Sequence, residues 1–175
     1  MIIFSTTFIN KLFLACCLVL MSSYVSASKE TLEEAIRTTI KAARYSALIT
    51  IDETGQPRAR TVDPFEPDEN FIVWISTRPV TRKVAQIRSN PKVTLYYWDS
   101  NSASYVSLVG KAELINDEAI KKAKRRPQDS KEFYPDFPND YLLIKFTPDY
   151  IEASVPNYRG NQNTWAPEKI ELKPH

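Results

Sequence analysis

The sequence predicts a mostly β domain, a closed antiparallel β-barrel with flanking helices. Three observations carry this expectation. About six β-branched and aromatic runs of strand length follow one another. The connections between them are short and rich in turn residues, and only brief helical patterns interrupt them. A Greek-key sandwich would show much the same pattern.

The first 27 residues read as a leader rather than as part of the fold. Lys11 is the only charge before Lys29, "LFLACCLVLM" is an apolar run, and "VSA" (Val25 to Ala27) puts small residues at a cleavage position. The expectation is a signal peptide over 1–27, a periplasmic or secreted protein, and no stable membrane association after cleavage. An uncleaved membrane anchor is the alternative. The domain is expected over 28–156, with a C-terminal tail over 157–175.

The elements follow in order. "TLEEAIRTTIKAAR" places Leu32, Ile36, Ile40 and Ala43 on one helical stripe, and Thr31 with Glu34 forms a capping box. "YSALITID" alternates as a strand, "ETG" turns the chain at Gly55, and "PRARTV" returns with Arg58 and Arg60 on one face. "FIVWIST" is a buried strand. "VTRKVAQIRSNP" is a short helix with Val80, Val84 and Ile87 inward, stopped by Asn90-Pro91. "KVTLYYWD" and "SYVSLVGKAELI" are strands, the second with a bulge or bend at Gly110. "NDEAIKKAKRR" is a polar helix capped by Asn116 or Asp117, whose basic run reads as a solvated face. "YLLIKFTPDYIEASV" supplies the last strands, broken near Pro148.

Composition narrows the chemistry. A net charge of +2 across 175 residues argues against a nucleic-acid partner. Both cysteines, Cys16 and Cys17, leave with the leader, and the sole histidine is the terminal His175. A thiol nucleophile, a thiolate or His-based metal site, a Ser-His-Asp triad and an ordinary heme ligand all lack their residues. No catalytic side chain and no metal site is expected, and a bound cofactor is left to carry any difficult reaction.

Positive charge matters only where it clusters, and it does so in "STRPVTRK" (Ser76 to Lys83). This stretch follows a strand and opens a helix, where free N–H groups and a partial positive charge suit an anion. Thr77 and Thr81 add hydroxyls, and Arg82 and Lys83 add charge-assisted donors. The competing reading is a solvated turn, with Arg82 and Lys83 paired to nearby acids.

The order of "QPRARTV", "STRPVTRKVAQIRSNPKVTLYY", "YVSLVGKAELI" and "LLIKFTPDYIEA" resembles the pyridoxamine 5′-phosphate oxidase-like family of FMN-binding split barrels. The similarity is to the general stress protein branch and covers Thr31 to Val155. The resemblance implies a split antiparallel Greek-key β-barrel and a homodimer with FMN at the subunit interface. It places Arg60 along the flavin, the backbone of Thr61 and Val62 beside the isoalloxazine, and Ser76 and Thr77 near the ribityl chain and phosphate. Arg82 and Lys83 match the phosphate-binding pair. Tyr105 stands where the family often has a glutamine that reaches the flavin from the second subunit. Tyr96 and Trp98 lie where an aromatic covers the flavin or packs in an interface, and Trp165 resembles a tail tryptophan of the stress-protein branch. The implied activity is flavin-dependent oxidation or reduction of a small-molecule substrate through N5. The segment "IEASVPNYRGNQNTW" lacks the histidine with which true oxidases hold substrate, which argues against the vitamin B6 reaction. The alternatives are a non-enzymatic flavin- or tetrapyrrole-binding stress protein and an empty barrel used for interactions.

Overall fold

The computed structural model of the chain describes residues 30–172. The expected leader, both cysteines and His175 lie outside the described residues. Helix α1 (Leu32–Ala43) starts at the expected capping box. The Glu34 amide donates to the Thr31 hydroxyl at 3.2 Å, and the Thr31 amide donates to the Glu34 carboxylate at 2.7 Å. Ala35, Ile36, Thr39 and Ile40 form its buried stripe, and Leu32 and Ala43 pack at its flanks.

Seven antiparallel strands form one sheet: β1 (Ser46–Ile51), β2 (Pro57–Val62), β3 (Val73–Thr77), β4 (Lys92–Asp99), β5 (Ser104–Ile115), β6 (Leu142–Ser154) and β7 (Glu168–Glu171). The order is β2-β1-β4-β5-β6-β3, with β7 also on β6. Helices α2 (Arg82–Ser89) and α3 (Glu118–Lys124) complete the domain. The expected antiparallel barrel with flanking helices is present; β2 and β3 end the main strand order, and β7 is a further edge on β6. β6 pairs along one side with β5 and divides its other side: Leu142 to Phe146 pair with β3, and Tyr150 to Ala153 pair with β7.

Three details depart from the sequence reading. β6 runs unbroken past Pro148. The irregularity is instead the bulge expected at Gly110: the register shifts between Val109 and Gly110, and a Cβ on Gly110 would fall on the Thr147 carbonyl oxygen and the Pro148 Cα. Val80 precedes α2 and is 86% exposed, so only Val84 and Ile87 anchor that helix. The final residues add a strand: β7 pairs with β6, and Ile170 and Leu172 pack on the main core.

The strands bury alternate residues, but β1 reverses the face that composition suggests. Ser46, Leu48 and Thr50 point inward, while Ala47, Ile49 and Ile51 are half-buried on the outer side. That outer face continues through Thr94, Tyr96 and Trp98 on β4 and Tyr105, Ser107 and Val109 on β5. The apolar side of β1 therefore belongs to an outer aromatic surface. The main core is Leu48, Leu95, Leu108, Ile144, Phe146, Ile151 and their neighbours.

Candidate functional site

The two terminal strands of the sheet meet at a cleft of about 410 Å³. β2 contributes Thr61 and Val62, β3 contributes Ser76 and Thr77, and the turn into α2 contributes Thr81 and Lys83. Thr77 is 4% exposed at the end of β3. Its hydroxyl accepts from Lys83 Nζ at 3.0 Å and lies 3.2 Å from the Thr81 hydroxyl. Thr81 is the N-cap of α2, yet it makes no capping bond and donates instead to the Arg78 carbonyl. The first turn of α2 contains no acidic residue.

Arg60 stands beside this cleft on β2. Its guanidinium donates to the Thr50 hydroxyl at 2.6 Å, to Gln86 Oε1 at 2.8 Å and to the Leu48 carbonyl at 3.2 Å. All three acceptors are neutral. Arg58, on the same strand face, is bound to Asp52 at 2.6 Å. Arg82 lines an adjoining depression with Asp52, Arg58 and Gln86 rather than the cleft itself. Among the described residues, no carboxylate pairs with Arg60, Arg82 or Lys83. Burial and then the charge of Arg82 lower the Arg60 pKa, and burial and then Arg60 lower that of Lys83. Arg60 thus feels the repulsion of Arg82, and Lys83 that of Arg60, with no ion-pair partner for the three among the described residues.

Of the sequence-predicted residues, Thr61, Val62, Ser76, Thr77 and Lys83 line one cleft. Arg60 and Arg82 adjoin it. Tyr105 does not line it: its ring stacks on Tyr96 at 5.5 Å on the outer aromatic face. Trp98 and Tyr105 are cross-strand partners there, and Trp98 is 49% exposed.

The far wall of the cleft holds residues that sequence reasoning missed: Asp63, Arg126, Gln128, Asp129, Phe133 and Tyr134. Asp129 is 4% exposed and joins three elements. It accepts from the Ser76 hydroxyl at 2.8 Å, the Tyr141 hydroxyl at 2.9 Å and Arg126 Nη2 at 3.1 Å. Burial pushes its carboxyl up, but the Arg126 and Ser76 hydrogen bonds outweigh that and hold it below the usual range. Arg126 also donates to the Asp63 and Pro64 carbonyls at 3.3 Å and lies 4.2 Å over the Phe65 ring. The basic run is therefore not a solvated face. Lys121 is buried and donates to the Pro138 carbonyl, Lys124 lies over Trp74, and Arg125 lies over Phe137. The available signal was the aromatic loop "EFYPDFPNDY" that follows, which supplies the Phe137 ring for Arg125 and the Pro138 carbonyl for Lys121.

Residues 32–154 match the model of the pyridoxamine 5′-phosphate oxidase family. The chain belongs to that family. It is 39% identical over 83 residues to the pyridoxine/pyridoxamine 5′-phosphate oxidase of Escherichia fergusonii, a match covering 47% of this chain and 38% of that protein. The fold is similar to that of general stress protein 26 from Bacillus anthracis, with a TM-score of 0.62 and 26% identity over 81% of this chain and 98% of that one. It is also similar to a pyridoxamine 5′-phosphate oxidase-related, FMN-binding protein from Nostoc punctiforme, with a TM-score of 0.58 and 17% identity over 84% of this chain and 100% of that one. Among the described residues, no group of three metal-ligating side chains converges.

Proposed function

We propose that this family member binds FMN in the cleft between β2 and β3 and acts as a flavin-dependent oxidoreductase on a small molecule. The observation that carries the reading is the cation set Arg60, Arg82 and Lys83, gathered at the start of α2 without a carboxylate partner among the described residues. A phosphate would supply the missing counter-charge, and the hydroxyls of Thr77 and Thr81 stand beside Lys83 to share its oxygens. The solvated-turn alternative requires acids paired to Arg82 and Lys83, and the described residues offer none.

Thr61 and Val62 would border the ring because β2 is an end strand, with one side of its main chain not paired to another strand. Asp129 fixes Ser76 and Arg126, which keeps the opposite wall rigid. When bound, the flavin would supply hydride transfer at N5. The protein holds the phosphate, orients the ring and shields it from water. The small-molecule substrate enters from the open side of the cleft.

A homodimer is part of the same proposal. The outer face of β1, β4 and β5 presents Ile49, Tyr96, Trp98, Tyr105 and Val109, and a second copy laid on it would bring Tyr105 to the neighbouring flavin. Light scattering should give twice the chain mass at micromolar concentration, and Trp98→Glu should halve it. A monomer mass for the wild type with FMN present would refute the dimer. The visible spectrum of purified protein incubated with FMN and with heme tests the cofactor. Flavin bands retained through gel filtration support the reading, and a retained heme Soret band with no flavin overturns it.

A further inference from the structure

A second cleft, of about 500 Å³, lies between α1 and the segment 63–67. It shares Asp63, Arg126 and Gln128 with the flavin cleft as a common wall but has a floor and rim of its own. The floor is Tyr97, a β4 core residue that is 1% exposed. Among the described residues its hydroxyl has no hydrogen-bond partner. Ser46 is near enough to favour the phenolate slightly, but its hydroxyl is directed at the Ala47 and Tyr96 carbonyls. A buried hydroxyl left unpaired is costly, and such groups are uncommon.

The side walls are apolar: Ile40, Pro64, Phe65 and Pro67. Four cations line the cleft, and two are already committed. Arg37 is bound to Glu33 and to the Asp68 and Glu69 carbonyls, and Arg126 is bound to Asp129 and Asp63. Lys41, in the last turn of α1, and Arg44, its C-cap, remain, and both are exposed. Among the described residues neither has a carboxylate partner. Arg44 only rests 4.9 Å over the Tyr45 ring. Asp63 is held by Arg126, so Glu66 is the one lining acid not engaged by a cation among the described residues. Two cations and one acid favour a singly charged head over a phosphate dianion.

The geometry points to a second ligand site, for a small amphipathic carboxylic acid. Its carboxylate meets Lys41 and Arg44, its flat apolar body lies between Ile40 and Phe65, and an acceptor at its inner end receives the Tyr97 hydroxyl proton in a hydrogen bond. The site does not rest on the flavin reading, because Lys41, Arg44 and Tyr97 do not line the FMN cleft, although the two clefts share Arg126 as a wall.

The probes are 4-hydroxybenzoate and 6-hydroxy-2-naphthoate, each compared with its primary amide and with the acid lacking the hydroxyl. Calorimetry on the purified chain should show the acid binding about tenfold more tightly than the amide for the better-fitting ring size. Lys41→Glu and Arg44→Glu should each remove that preference. Tyr97→Phe should keep or raise the melting temperature, since it deletes an unpaired hydroxyl, and should abolish the advantage of the hydroxylated acid over its parent. Saturating FMN should leave probe binding intact. Acid and amide binding equally, no measurable binding of either acid, indifference to Lys41→Glu and Arg44→Glu, or displacement by FMN would each overturn the proposal.

Discussion

Lys83 donates through Nζ to the Thr77 hydroxyl at 3.0 Å, and among the described residues no carboxylate answers its charge. A half-buried ammonium in that position gains most from an anion arriving at the same hydroxyl. FMN and riboflavin separate this effect from ring binding. Arg82→Ala and Lys83→Ala should each weaken FMN binding by roughly ten- to a hundredfold, the worth of a charge-assisted bond of about 1.5–3 kcal/mol. Riboflavin should bind more weakly than FMN to the wild type and be nearly indifferent to both substitutions. Quenching of flavin fluorescence reads both. Equal affinities for the two flavins in the wild type would remove the phosphate site.

The lowered Lys83 pKa gives that site a pH dependence. FMN affinity should fall as pH rises through the depressed lysine value, because the neutral amine loses its attraction. It should also fall below about pH 6, where the phosphate monoester takes up its second proton. Stability of the protein alone runs the other way. The unfolded chain binds the Lys83 proton more tightly, so stability should rise with pH between the folded and unfolded values of this group. Lys83→Gln should flatten both profiles, and a profile unchanged in that variant would dismiss Lys83 as their source.

Asp129 is the structural counterpart on the opposite wall. Asp129→Asn would leave Arg126 partly buried with only the longer 3.5 Å pair to Asp63 and should cost about 3 kcal/mol in denaturant unfolding. Tyr141→Phe removes one hydrogen bond to the same carboxylate and should cost about 1 kcal/mol. Because the folded carboxyl is depressed, its stabilisation is present above the unfolded value near pH 4 and is lost as pH falls through the folded value. The Asn variant should lack that part of the acid transition.

Gly110→Ala tests the bulge. The added methyl would meet main-chain atoms of Thr147 and Pro148, which have no rotamer to give way. A loss of about 2–3 kcal/mol is expected, with FMN affinity unchanged once the protein is folded. A neutral result in thermal unfolding would show that β6 can shift locally at this point.

The strand pairs and the cation cluster are legible in the sequence because their signals are local. Period-2 alternation marks β4 and β5, and "STRPVTRK" brings Thr77, Thr81 and Lys83 within seven residues of each other. The far wall is not local. Ser76 and Asp129 are 53 residues apart in the chain and meet only because the loop after α3 folds back over β3. The run from Lys121 to Arg126 resembles any solvated basic helix until the rings of Trp74, Phe137 and Phe65 are seen beneath it. The inward face of β1 misleads for another reason. The face that carries Leu48 packs on the core with Leu95 and Leu108, and the isoleucines serve an outer surface instead.

The two ends of the sheet carry a further consequence. β2 is a sheet end, and an end strand invites pairing with any other extended chain. β2 begins with Pro57, which has no amide to offer such a partner, and continues with Arg58 and Arg60. Arg60, which makes the strand suited to an anion, and Arg58, paired with Asp52, also act as gatekeepers against edge-to-edge aggregation. An apolar replacement of Arg58 and Arg60 would therefore expose the strand to template growth of intermolecular sheet, and solubility would decline with the same residues as ligand affinity.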